Sequence, residues 1–135
     1  MKLLSLDFGL KRIGVAVGDT NSGIAFPREA IANDDKTLGS LKKLVETEKI
    51  EKILLGFPHK LDGSAGDIVD KLRQFSQRLE KVTNAPIEFI DERFTSKIAS
   101  AKLHSAGIKT KQHKHLQDSV AAAVILEEYL AIAGH

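Results

Sequence analysis

Met1-Lys-Leu-Leu-Ser-Leu-Asp7-Phe-Gly9-Leu-Lys-Arg12-Ile-Gly14-Val-Ala-Val-Gly18-Asp19 is the stretch on which the fold turns. An apolar run ends in a carboxylate, a glycine follows, and a second β-rich segment begins at once. Strands over residues 2–7 and 12–18, joined this tightly, must be antiparallel. Residues 24–32, Ile-Ala-Phe-Pro-Arg-Glu-Ala-Ile-Ala, add a third strand, in which Pro27 marks an edge position or a bulge. Asp7 is the anomaly. Burying a charge costs on the order of several kcal/mol unless something compensates it, and a cation is one such compensator.

Beyond the meander the pattern becomes α/β. Asn33-Asp34-Asp35 offers helix N-caps ahead of Leu38, Leu41, Leu44 and Val45 at helical spacing. Lys52-Ile-Leu-Leu-Gly-Phe57 reads as a central parallel strand. A glycine-rich loop follows, and Ile68, Leu72, Phe75, Leu79 and Val82 then mark a periodic helix that Asn84-Ala-Pro86 ends. Ile87-Glu-Phe-Ile-Asp91 is the fifth strand, with Glu92-Arg93-Phe94-Thr95 just after it. Thr95 or Ser96 can cap a helix that stops at Gly107. A last helix runs from about Leu116 to Ile132. Its Val120–Leu126 stretch is apolar on every side, so it packs on the sheet, and its alanines allow close approach.

The order βββ-α-β-α-β-α-α describes one α/β domain over 1–135 with a mixed five-stranded sheet. Strands one, four and five are linked through helices and are expected parallel, with right-handed crossovers. Their C-terminal ends then share one edge, which gathers Asp7, Phe57 and Asp91-Glu92. In open α/β sheets ligands bind in the crevice at that edge.

Composition agrees with such a core. The 135 residues are 42% hydrophobic but only 5% aromatic, so packing rests on Leu, Ile, Val and Ala. The absence of cysteine excludes disulfides and thiolate chemistry and favours a cytoplasmic setting. Asp7 and Lys11-Arg12 interrupt the first apolar run too early for a signal peptide. No stretch approaches the roughly 20 apolar residues of a membrane span. A net charge of +2 and a pI near 8.8 permit a nucleic-acid partner without requiring one.

Three carboxylates from separate elements can meet at the active edge: Asp7 ending the first strand, Glu92 after the fifth, and Asp118 in the first turn of the last helix. Singly each has a plainer explanation. Asp7 could cap the turn before Gly9, Glu92 could pair with Arg93, and Asp118 could answer a helix dipole. Their convergence favours a shared cation, and hard oxygen ligands select Mg²⁺ or Mn²⁺. Two such ions roughly 3.5–4 Å apart can activate water and steady a leaving oxygen in phosphodiester cleavage. Asp91 competes with Glu92 but is placed on the opposite face if Ile90 points into the core. Asp62 could assist a metal, although an Asp-Gly turn with Gly63 explains it better. Asp19 falls at the opposite edge.

Cations flank this edge. Lys11 and Arg12 follow Gly9, and Arg93 adjoins Glu92. The segment Lys109-Thr-Lys111-Gln-His113-Lys114-His115 reads as a basic loop, either solvated or contacting a phosphate backbone. His59, His104, His113 and His115 show no zinc-type spacing.

The chain resembles the YqgF/RuvX family of the RNase H-like superfamily over essentially its whole length. Four segments carry the likeness: Leu6–Val17, Leu55-Gly56-Phe57-Pro58 with Asp62-Gly63, Ile90–Ser96, and Gln117-Asp118-Ser119-Val120-Ala121-Ala122. The resemblance implies an RNase H-like fold and a metal-dependent nuclease in which Asp7, Glu92 and Asp118 are the catalytic acids; these three would hold the two Mg²⁺ or Mn²⁺ ions. It also implies a role in maturing the 5′ end of precursor 16S ribosomal RNA, with ribosomal particles as partners. The family has been described as Holliday-junction resolvases too, through similarity to RuvC. Symmetric junction cleavage would need a homodimer, whereas RNA processing is open to a monomer. Readings of another class are an ATP-binding module of the actin and sugar-kinase type, which 135 residues are too few to build, and a binding module without catalysis.

Overall fold

Leu3, Leu4, Ser5 and Leu6 are fully buried in succession, a pattern that suits a strand covered on both faces. In the computed structural model, which describes residues 1–57, 66–91 and 110–133, this strand is β1 (Lys2–Phe8). It is followed by β2 (Arg12–Asp19), β3 (Ala25–Ala32), α1 (Thr37–Glu48), β4 (Lys52–Phe57), α2 (Gly66–Thr83), β5 (Ile87–Asp91) and α3 (Thr110–Ala133). The sheet order is β3-β2-β1-β4-β5. As the short links require, β1–β2 and β2–β3 are antiparallel, and as the helical crossovers require, β1–β4 and β4–β5 are parallel.

Alternation along the strands builds two cores. Leu4, Leu6 and Phe8 join Ile13, Val15, Ile53 and Leu55 beneath α1 and α2. Leu3, Ala16 and Leu54 face Ala122, Ala123, Leu126 and Leu130 of α3. The small residues of β2 admit that helix closely. A Cβ on Gly18 would stand 2.9 Å from a Leu126 methyl and 2.8 Å from the Ile24 carbonyl oxygen. Pro27 lies on edge strand β3 and pairs in regular register with Ala16, so the edge reading of that proline holds; the register shift of β3 falls beyond it, between Arg28 and Ile31.

Two boundaries differ from expectation. None of Asn33, Asp34 and Asp35 caps α1. Lys36 occupies that position without a side-chain bond. Asp34 instead forms an Asx turn, its Oδ1 accepting the Lys36 N–H at 2.9 Å, while its own N–H donates to Thr37 Oγ1 at 2.8 Å. The larger difference is at α3, which begins at Thr110. The basic segment expected as a loop is, from Thr110 on, the opening of this helix. The helix expected to stop at Gly107 lies outside the described residues. Asn84, at φ 57°, ends α2 as expected.

Candidate active site

The end of β1 is shaped by glycine. In the register, Asp7 pairs with Gly14 of β2 on one side and Gly56 of β4 on the other. Neither neighbour carries a side chain, so within the sheet the partly buried carboxylate stands in a glycine-walled bay. The same row continues to Ile90 of β5, which packs against the core on the α3 side. Asp91 is one row further, in register with Phe57. Asp19 lies at the far edge opposite Lys2, as expected. There the Asn21 N–H bonded to its carboxylate, with the nearby N-terminal ammonium, holds it below the usual carboxylate range.

The turn after Asp7 requires Gly9. A Cβ there would lie 2.5 Å from the Arg12 carbonyl oxygen, a distance that only backbone movement could relieve. Asn33 closes the turn from the other side. Its amide Nδ2 donates to the Gly9 carbonyl at 2.8 Å, and its N–H donates to the Lys11 carbonyl at 2.9 Å. Lys11 on this turn and Arg12, the first residue of β2, are both exposed.

Among the described residues, a side-chain bond ties helix α3 to the same edge. The buried Ser119 hydroxyl accepts the Val15 N–H at 3.1 Å, at the register shift between β2 and β3. Val15 pairs with Leu6, one row from Asp7. At the other end Leu126 and Leu130 lie over Gly18, and the Tyr129 hydroxyl accepts from Lys52 Nζ at 2.8 Å. The helix therefore runs antiparallel to β1. About 13 Å of it precedes Ser119 at 1.5 Å per residue, so its first turns extend past the row of Asp7.

The sequence profile described as "RuvX: Holliday junction resolvase" matches residues 1–132. The chain belongs to the RuvX family. A protein of Maridesulfovibrio salexigens named "Putative pre-16S rRNA nuclease" is 38% identical over 135 residues, covering 98% of this chain and 100% of that one. One of the same name from a Sulfurihydrogenibium species is 40% identical, over 96% and 89%. The fold is that of solved resolvases. Thermus thermophilus RuvC in complex with a Holliday junction substrate superposes with a TM-score of 0.64 at 14% identity, covering 98% of this chain and 95% of that one. Fowlpox virus resolvase with Holliday junction DNA gives 0.57 at 12%, covering 98% and 99%.

Of the residues carrying the RuvX-family resemblance, Asp7, Gly9, Gly14, Gly56 and Ser119 are gathered at one edge. Asp118 precedes Ser119 on α3, and its side chain is not among those described; the same holds for Lys111 and Lys114. It is the ninth residue of α3 and not in the first turn as expected, and that turn holds no acid. A helix-dipole explanation of Asp118 is thereby removed. Glu92, Arg93, Asp62 and Lys109 lie outside the described residues. Among the described residues no group of three His, Cys, Asp or Glu gathers as a metal site. Sequence reasoning missed Ser119 and the two glycines flanking Asp7. The serine stood in the quoted motif, but its partner is visible only once β2 and β3 are paired. No helix among the described residues is long and apolar enough to cross a membrane.

Proposed function

We propose that this protein is a divalent-metal-dependent endonuclease that hydrolyses phosphodiester bonds in the 5′ leader of precursor 16S ribosomal RNA. The observation that carries the chemistry is the placement of Asp7, a carboxylate in a glycine-walled bay on the ligand-binding edge of the sheet, with α3 bonded in place one row away. A carboxylate is a hard oxygen donor of the kind that suits a hydrated Mg²⁺ or Mn²⁺. Asp7, Glu92 and Asp118 are the residues to hold it. Ile90 shares the row of Asp7, and Glu92 follows it by two residues in the sequence. Bound there, a pair of cations would supply Lewis-acid activation of water and of the departing oxygen.

The remaining work falls to the chain's own cations. Lys11 on the turn after Asp7 and Arg12 at the start of β2 are exposed and can hold a phosphate flanking the scissile one. Arg93 follows Glu92 directly and is assigned the same task. Lys111 and Lys114 belong to the first turns of α3, beyond the edge, where a strand leaving the bay would pass; Lys109 just precedes that helix.

RNA is preferred to junction DNA as substrate because the relatives bearing the rRNA name are 38–40% identical over nearly their full lengths. The resolvases share the fold at 12–14% identity. The family description itself names Holliday junctions, so four-way DNA is the second reading. Wild-type protein should be assayed on precursor 16S leader RNA and on four-way DNA, with Mg²⁺ or Mn²⁺ and with chelator. Cleavage of the RNA alone, abolished by chelator, is expected. Paired symmetric nicks in the DNA with the RNA intact would overturn this assignment.

A further inference from the structure

On the other face of the sheet from Asp7, a cavity of about 240 Å³ opens between α1 and α2 beside the Gly9 turn. Its inner wall is Phe8 and Phe75, whose ring centroids are 5.1 Å apart, and exposed Leu10 forms its rim. Asn33, which grips the Gly9 carbonyl, joins this cavity to the turn of the active edge. The outer wall is α2. Exposed Lys71, Gln74 and Arg78 line it at helical spacing, and a second hollow of about 400 Å³ continues past Arg78 to Lys81. Neither hollow is lined by a carboxylate among the described residues. No described ion pair engages Lys71, Arg78 or Lys81.

We infer that this α1–α2 groove binds an unpaired stretch of the RNA substrate flanking the bond cut at Asp7. The inference rests on the nuclease reading above and adds a second contact surface to it. Charge complementarity selects a polyanion. The apolar wall and the Gln74 amide select an exposed base over a duplex backbone, which would meet cations alone. Phe8 follows Asp7 on β1 and faces the groove. A strand passing over the Gly9 turn therefore runs from the bay into the cavity and then along Lys71, Arg78 and Lys81.

The test uses full-length protein carrying Asp7→Asn, so that binding is read without cleavage. A labelled single-stranded RNA is titrated over a range of salt concentrations, with and without Lys71→Ala/Arg78→Ala. Loss of two phosphate contacts should weaken binding roughly tenfold and reduce the slope of log K against log salt by about 1.4. Gln74→Ala should weaken single-stranded RNA while leaving duplex RNA unchanged. Lys42→Ala/Lys43→Ala on α1, which removes the same charge elsewhere, is the control. Unchanged affinity and slope in Lys71→Ala/Arg78→Ala, or an equal loss in the control, would overturn the groove. If the Asp7→Asn protein bound no RNA at all, the nuclease reading itself would fail.

Discussion

One hydroxyl sets where α3 meets the sheet. Ser119 is fully buried and accepts the Val15 N–H at 3.1 Å, at the point where β2 and β3 lose register. Ser119→Ala leaves that buried donor without a partner, which costs about 1–3 kcal/mol. Denaturant unfolding should show a lowered midpoint with an unchanged slope, and cleavage should fall with it because Asp118 is the adjacent residue. An unchanged midpoint would mean that water replaces the hydroxyl and that the bond does not position the helix. At this scale the sequence was only partly readable. Asp7 stood out because a carboxylate ending a core strand is costly, and Gly9 because the return strand begins at once. Gly14 and Gly56 could not be recognised as walls of the bay until the pairing placed both beside Asp7. Asn33 carried an N-cap signature, and its amide is spent instead on the Gly9 carbonyl.

Helix α3 is the element that joins the two ends of the sheet. Ala122 and Ala123 lie against Ala16 and Leu54, so the helix has no room to spare. Ala122→Leu should cost about 1–3 kcal/mol through overpacking, read as a lower melting temperature; a neutral result would mean that α3 can shift without loss. At the end away from Asp7, Lys52 Nζ donates to Glu88 Oε1 at 2.7 Å and to the Tyr129 hydroxyl at 2.8 Å. These bonds, Glu88 foremost, raise the Lys52 pKa above 10.5 despite its partial burial. A group whose folded pKa is raised contributes stability that is complete below its unfolded value and is lost as pH rises through the folded one. Stability should therefore decline above pH 10.5, and Lys52→Met should flatten that decline; the partly exposed pair is worth at most about 1 kcal/mol. An identical alkaline profile in Lys52→Met would remove this role. The all-apolar stretch of α3 was legible because alanine and leucine leave no polar face. Its start was not, since Thr110–His115 is polar all round and gives no period to read.

For the molecule as a whole, topology was the most legible property. Short links force the meander, and helical crossovers force β1, β4 and β5 parallel, so the edge carrying Asp7 follows from connection lengths alone. What connection lengths cannot supply is the meeting of side chains. The α1–α2 groove was not legible in the sequence, because Phe8 and Phe75 become a wall only when Lys71 and Arg78 are folded beside them. The central claim is that the carboxylate of Asp7 is required for phosphodiester hydrolysis and not for folding. Asp7→Asn keeps the shape and removes the charge. Cleavage of precursor 16S leader RNA in Mg²⁺ should fall roughly a hundredfold or more, with an unfolding midpoint no lower than wild type. Full cleavage by the folded Asp7→Asn protein would contradict the account.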